Sequence, residues 1–212
     1  MNRDAIHGPR IFLVLHALAA IALLYGLAPL AGTWGSVRGL TLLLAAQWGL
    51  YCLPVMALHF RGERRARLYS EKLAWRDWWI ALPLIMQPPL LALILLMPHT
   101  ALLTSHAASM AALVGVSHGV LAEAGWRGAF LCRFADRPRL GFWLSWGLGL
   151  AAQASLWAVL DRGMELLAGL ALLSLFWTWL AWRTLSIFWG TILHALAMTT
   201  LLWLVFSAAG IA

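Results

Sequence analysis

Ser117-His118-Gly119-Val120-Leu121-Ala122-Glu123-Ala124-Gly125-Trp126-Arg127-Gly128 lies inside an apolar run from about Ala101 to Cys132. A run of that length crosses a bilayer as a helix. Glu123 and Arg127 interrupt it with a carboxylate and a guanidinium. They are four residues apart, so on a helix they share a face and can pair. A charge inside a span is costly and turns toward the bundle interior. The pair is therefore either part of a chemical site or a buried strut between helices.

The rest of the chain repeats the same kind of run. Of its 212 residues, 63% are hydrophobic and 11% charged, where a soluble domain carries about 25% charged residues. The apolar content comes in stretches near 20 residues, so the expected fold is all-α: one polytopic bundle over residues 1–212 with about seven transmembrane helices. The expected spans are Ile11–Ala31, Leu40–Phe60, Trp78–Met97, His106–Cys132, Gly141–Leu160, Met164–Trp182 and Thr184–Phe206. Pro88-Pro89 should kink or break the third, with an outer loop at 98–105. Asp161-Arg162-Gly163 reads as a tight turn. No cleavable signal peptide is expected, because the first run is long enough to span.

The net charge of +7 is no sign of nucleic-acid binding, because it sits in the loops between apolar runs. With seven spans, one side collects Arg3, Arg10, Arg61, Arg64, Arg65, Arg67, Lys72, Arg76, Arg133, Arg137, Arg139 and Arg183. The other side has Arg38 and Arg162, and Arg127 lies within a span. This bias places the N-terminus in the cytoplasm of a bacterial-type inner membrane. The densest basic loop, from Arg61 to Arg76, is a topology signal that can also touch anionic headgroups. Cys52 and Cys132 suit neither a disulfide nor a metal cluster. No phosphate-binding glycine loop and no Ser-His-Asp set is visible.

Two places in the last four spans resemble the CPBP family of intramembrane metalloproteases, which includes the CAAX endopeptidases and the bacteriocin-processing and self-immunity proteins. Ala122-Glu123-Ala-Gly-Trp-Arg127-Gly128 is similar to the family's Glu-Glu-x-x-x-Arg-Gly. Trp182-Arg183-Thr184-Leu185-Ser186-Ile187, leading to His194-Ala-Leu-Ala-Met198, resembles its Arg-Thr-Gly-Ser turn followed by His-x-x-x-Asn/Asp. The resemblance covers about half the chain and implies a CPBP-like core over 101–206. In the family the first Glu activates a water, helped by a His on the next helix. This sequence has Ala122 at the first Glu and Met198 at the Asn/Asp, with Trp157 or Asp161 at the next-helix His. No His occurs between His118 and His194.

The residues left for chemistry are Glu123, Arg127 and His194, with His118 one turn before Ala122. Helical rise puts Glu123 and His194 both roughly 15 Å from the cytoplasmic ends and Asp161 roughly 30 Å away, so the first two can meet. His118, Glu123 and His194 are the candidate zinc ligands should the protein be an active metalloenzyme; otherwise no cofactor is expected. Ala111, Gly115, Gly119 and Ala122 form a small-residue stripe that lets helices approach closely. Trp146, Trp157, Trp189 and Trp203 fall within spans, facing lipid, a partner helix or a pigment-like ligand.

Two functions follow from the resemblance. The first is a CPBP-like protein with an inactive protease site, acting as a subunit, assembly factor or immunity-type partner of a membrane complex. The alternative is an active metal-dependent endopeptidase with a non-standard site. The expected partners are the lipid bilayer and other integral membrane proteins, not nucleic acid.

Overall fold

The computed structural model describes residues 4–59, 78–160 and 163–210. Among these the chain is helical, with no strand. Seven continuous helices result: α1 (Asp4–Gly32), α2 (36–59), α3 (78–102), α4 (Ser105–Arg133), α5 (Pro138–Trp157), α6 (Gly163–Thr184) and α7 (Phe188–Ala208). Helices satisfy every backbone group within the segment, which is what an apolar solvent requires. Five of them, α1, α2, α4, α7 and the Ile85–Leu102 part of α3, are long and apolar enough to cross a membrane. The expected spans in α5 and α6 are present as helices of 20 and 22 residues. α5 carries Ser145, Gln153 and Ser155, and α6 carries Ser174 and Thr178, all buried inside the bundle.

Three boundaries differ from the sequence reading. Pro88 and Pro89 lie inside α3, which runs on past them without a break, and a kink falls at His99 (φ −122°, ψ 20°), within the expected outer loop at 98–105. The helix instead rewinds as a π-helical turn over Ala92–Leu96 and a 3₁₀ turn over Met97–Leu102. In the wider turn the Met97 amide donates to the Ala92 carbonyl, five residues back. Only Leu103 and Thr104 then separate α3 from α4, and the Thr104 hydroxyl caps α4 by accepting from the Ala107 amide at 3.2 Å. α7 begins at Phe188 rather than Thr184, and Arg183 sits in the last turn of α6. The basic loop between α2 and α3 and the expected turn at Asp161-Arg162 lie outside the described residues.

α4 and α7 form the centre. The small-residue stripe faces α7, with Ala111, Gly115, Gly119 and Ala122 all buried. A Cβ on Gly119 would meet the Ala195 backbone at 2.7 Å, and one on Gly115 would meet the Thr199 amide nitrogen at 2.6 Å. Glycine is what allows these two backbones to touch. The tryptophans tie helices together: Trp203 Nε1 donates to the Thr104 carbonyl at 2.9 Å, Trp146 Nε1 to the Ala171 carbonyl at 3.3 Å, and Trp157 is buried. At one end of the bundle Arg10 of α1 donates to the Arg133 carbonyl at 2.6 Å and pairs with Asp136, closing α1 onto the α4–α5 connection.

Candidate functional site

Halfway along α4 the helix widens into a π-helical turn over Glu123–Gly128. A second π-helical turn, Trp48–Cys52, interrupts α2. The two face each other, so that a Cβ on Gly125 would lie 3.3 Å from Cys52. Widening leaves carbonyls that hydroxyl groups then satisfy. Tyr51 donates to the Gly125 carbonyl at 3.2 Å, and Ser145 donates to the Trp126 carbonyl at 2.8 Å. Tyr51 also stacks on Trp126, with ring centroids 3.8 Å apart. The segment that bears the charges is thus clamped from α2 and α5.

Glu123 is fully buried. Its Oε1 accepts from the Arg127 guanidinium and from His194 Nδ1, the latter at 2.9 Å. A carboxylate only accepts, so Nδ1 of His194 carries the proton. The other edge of Arg127 is satisfied by α6: Nε donates to Thr178 Oγ1 at 2.9 Å, and Nη2 to Ser174 Oγ at 2.8 Å. Ser174 and Thr178 are four apart, which puts both on the helix face that meets Arg127. Between them Trp177 lies with its ring 5.6 Å from the guanidinium carbon and stacks on His194 with centroids 4.5 Å apart. Gly190 makes room for the carboxylate, since a Cβ there would be 2.9 Å from Glu123 Oε2. That second oxygen is buried without a hydrogen-bond partner.

His118 is beside this group but turned away from it. Its ring meets His194 edge-on, with centroids 5.3 Å apart. Trp48 Nε1 approaches His118 Nδ1 at 3.1 Å, and the Gln153 amide reaches Nε2 at 2.9 Å. An indole can only donate, so Nδ1 accepts and Nε2 carries the proton; the Gln153 amide pairs with it when its oxygen faces the ring. Both nitrogens of His118 are therefore engaged. Among the described residues no group of three or more His, Cys, Asp or Glu is placed to hold a metal. His118, Glu123 and His194 lie side by side, with the His118 nitrogens directed to Trp48 and Gln153 rather than to Glu123. Asp161 lies outside the described residues.

Three contributors are not singled out by sequence reasoning. Ser174 and Thr178 are ordinary helix residues until Arg127 needs partners. Gln87 of α3 accepts from Trp177 Nε1 at 2.9 Å and donates to the Leu193 carbonyl at 3.2 Å. Its only signal is an amide in the apolar run after Trp78, which a reading centred on Pro88-Pro89 passes over. A cavity of about 20 Å³ lies among Trp126, Arg127, Gln153, Ser174, Trp177 and His194. That is room for about one water, with polar groups to hold it.

An integral membrane protein emerges, a helix bundle whose interior holds one carboxylate, one guanidinium and one imidazole in contact. Residues 104–200 match the family model described as "Type II CAAX prenyl endopeptidase Rce1-like", a CPBP-type family, and over that segment the chain is similar to it. The segment runs from the cap of α4 into α7 and contains Glu123, Arg127, Ser174, Trp177, Thr178 and His194. No curated protein and no solved structure matches the chain.

Proposed function

We propose that this protein is a CPBP-type membrane protein that does not cleave peptides and acts by binding, as a subunit, assembly factor or immunity-type partner of a membrane complex. One observation carries the reading: Glu123 Oε1 is held by both Arg127 and His194 in the buried interior, and the cavity of about 20 Å³ beside His194 has room for one water and not for a peptide carbonyl. Ala122, at the place the resemblance gives to the water-activating Glu, is fully buried in the stripe against α7. The carboxylate, guanidinium and imidazole then fix the register of α4, α6 and α7, the best-attested use of buried ionic groups. The excess of basic residues on the side of the N-terminus supports a cytoplasmic N-terminus in a bacterial-type inner membrane.

The reading is tested by isolating the protein from its native membrane in a mild detergent. A stoichiometric integral membrane partner is expected; a monomer without one removes the binding role.

A second reading rests on Glu123 Oε2, which has no hydrogen-bond partner, and on the water-sized cavity next to His194. An endopeptidase needs a base and a held water, and a small opening of α6 would bring the two together. A fluorogenic prenylated CAAX peptide in mixed micelles separates the readings. We expect the wild-type protein to cleave it no faster than a folded Glu123→Gln variant. Cleavage that this variant loses would establish the enzyme.

A further inference from the structure

At the end of the bundle where α1 starts and α4 stops, a groove of about 310 Å³ opens between α1 and α5. Its mouth is cationic and its floor is apolar. Arg10 and Arg137 stand at the mouth; Ile11, Val14 and Leu15 of α1 face Leu140 and Leu144 of α5 across the floor. Ile11, Leu15 and Leu140 are each about half exposed or more, at 60%, 59% and 45%. The apolar span of α1 begins at Pro9 and that of α4 ends at Arg133, so the mouth lies at the boundary of the apolar layer. From Arg137 to Leu144 the helix descends roughly 10 Å into it.

The charges at the mouth do not cancel. Arg10 is paired with Asp136 and lies over the Phe134 ring at 5.4 Å. Desolvation, the largest single influence on Asp136, would raise its pKa. The Arg10 hydrogen bond, its own backbone and the charges of Arg10 and Arg137 outweigh it, and its carboxyl is held below the ordinary value of 3.8. It stays ionised and offsets Arg10. Arg137 is exposed at the rim, and Arg139 follows two residues later. A positive rim above an apolar cleft that runs along two spans complements an anionic head on a hydrocarbon chain.

We propose that this groove is a binding site for one anionic phospholipid, its phosphate at Arg137 and one acyl chain between α1 and α5. The lipid joins the Arg10–Asp136 ion pair, which ties α1 to the α4–α5 connection, to the surrounding leaflet. Binding therefore stabilises the seat of α1, independently of whether the interior site is catalytic.

The test uses the full chain, purified in dodecylmaltoside, with unfolding followed by tryptophan fluorescence. Dioleoylphosphatidylglycerol should raise the midpoint by about 5 °C, the size expected of a ligand that binds only the folded state at concentrations well above its Kd. Dioleoylphosphatidylcholine and sodium phosphate should not. Arg137→Glu should remove most of the shift, read against that variant's own midpoint without lipid. Arg137→Gln serves if the reversal does not fold, and Leu15→Gln should weaken the effect through the floor. Equal shifts from both lipids, a full shift from phosphate alone, or a full shift in Arg137→Glu would each overturn the site.

Discussion

α7 and α3 are both long apolar helices, but they are held by opposite means. In the membrane-length window of α7, 56% of residues are buried; in that of α3, 6% are. α7 is seated by glycine and alanine against α4, backbone on backbone, with His194 delivered to Glu123 as a by-product of that register. Among the described side chains of α3 only Gln87 is buried, and it is polar. In lipid there is no hydrophobic gain in bringing one apolar helix against another, so close packing and hydrogen bonds decide which helices stay together. α7 relies on the first and α3 on the second. The contrast implies a firm half around the ion pair and a loosely attached helix beside it.

The strongest way to break the firm half is to remove one charge. Arg127→Met leaves Glu123 buried with His194 alone, a loss of about 3–5 kcal/mol. Pairing it with Glu123→Gln should recover much of that, because no uncompensated charge remains. Reversible unfolding in mixed micelles measures the cycle; additive losses would mean that the two side chains act independently. Next in size, Gly119→Ile drives a branched side chain into the Ala195 backbone and should cost about 1–3 kcal/mol or more. The same change at Gly26, where a Cβ meets nothing within 4 Å, should leave the midpoint nearly unchanged. Equal effects at the two glycines would remove the close approach of α4 and α7 as the organising contact.

How much of this was legible in the sequence depends on what each residue contacts. Glu123 with Arg127 is a local relation, four residues on one helix, and the text of the chain displays it. The arrival of His194 follows from counting helical rise, because two antiparallel spans of similar length bring equal depths together. The support for Arg127 is different in kind. Ser174 and Thr178 have no pattern that marks them, and their role exists only once α6 is rotated to face α4. The polar residues inside the expected spans of α5 and α6, Gln153, Ser174 and Thr178 among them, are buried in the interior. The proline pair predicts a kink or a break from covalent geometry; the break does not occur, and the helix continues into a wider and then a tighter turn. His118 shows the remaining gap. Its distance from Glu123 in sequence invites a ligand set, but Trp48 and Gln153, from two other helices, claim its nitrogens.

The loosely attached helix is tested by Gln87→Leu. The substitution removes both hydrogen bonds that tie α3 to Trp177 and Leu193. Such bonds average about 0.6 kcal/mol in membranes, so the unfolding midpoint should fall by little. The local effect should be larger than the global one. A groove of about 530 Å³ already separates α3 from α6 and α7, with Gln87 at its inner wall. A cysteine placed at Phe176 on that wall should react faster with a lipid-soluble maleimide in the Gln87→Leu background than with Gln87 intact. An unchanged rate would mean that apolar packing, not the amide, keeps α3 in place.

The smallest effect has the opposite sign and lies where α6 hands over to α7. Leu185 is the one described non-glycine residue with positive φ, at 53°. It stands where the resembled family turn has glycine. A side chain in the left-handed region costs about 1–2 kcal/mol, and Leu185 recovers little of it, since its side chain is 61% exposed. The turn holds because Thr184 donates to the Leu180 carbonyl at 2.8 Å and Ser186 Oγ accepts from the Phe188 amide at 3.2 Å. Leu185→Gly keeps those bonds and relieves the strain. It also frees the unfolded chain, which takes back roughly 0.5–1 kcal/mol. The net is a gain of up to about 1 kcal/mol, read as a rise of about 2–4 °C in the unfolding midpoint. Leu185→Ala, which keeps the Cβ, should show no such rise. A gain from alanine equal to that from glycine would assign the effect to the exposed leucine surface and leave the turn unstrained. A gain from glycine alone would place the family's turn geometry in this chain at the point that sets the register of α7 and, through it, of His194 on Glu123.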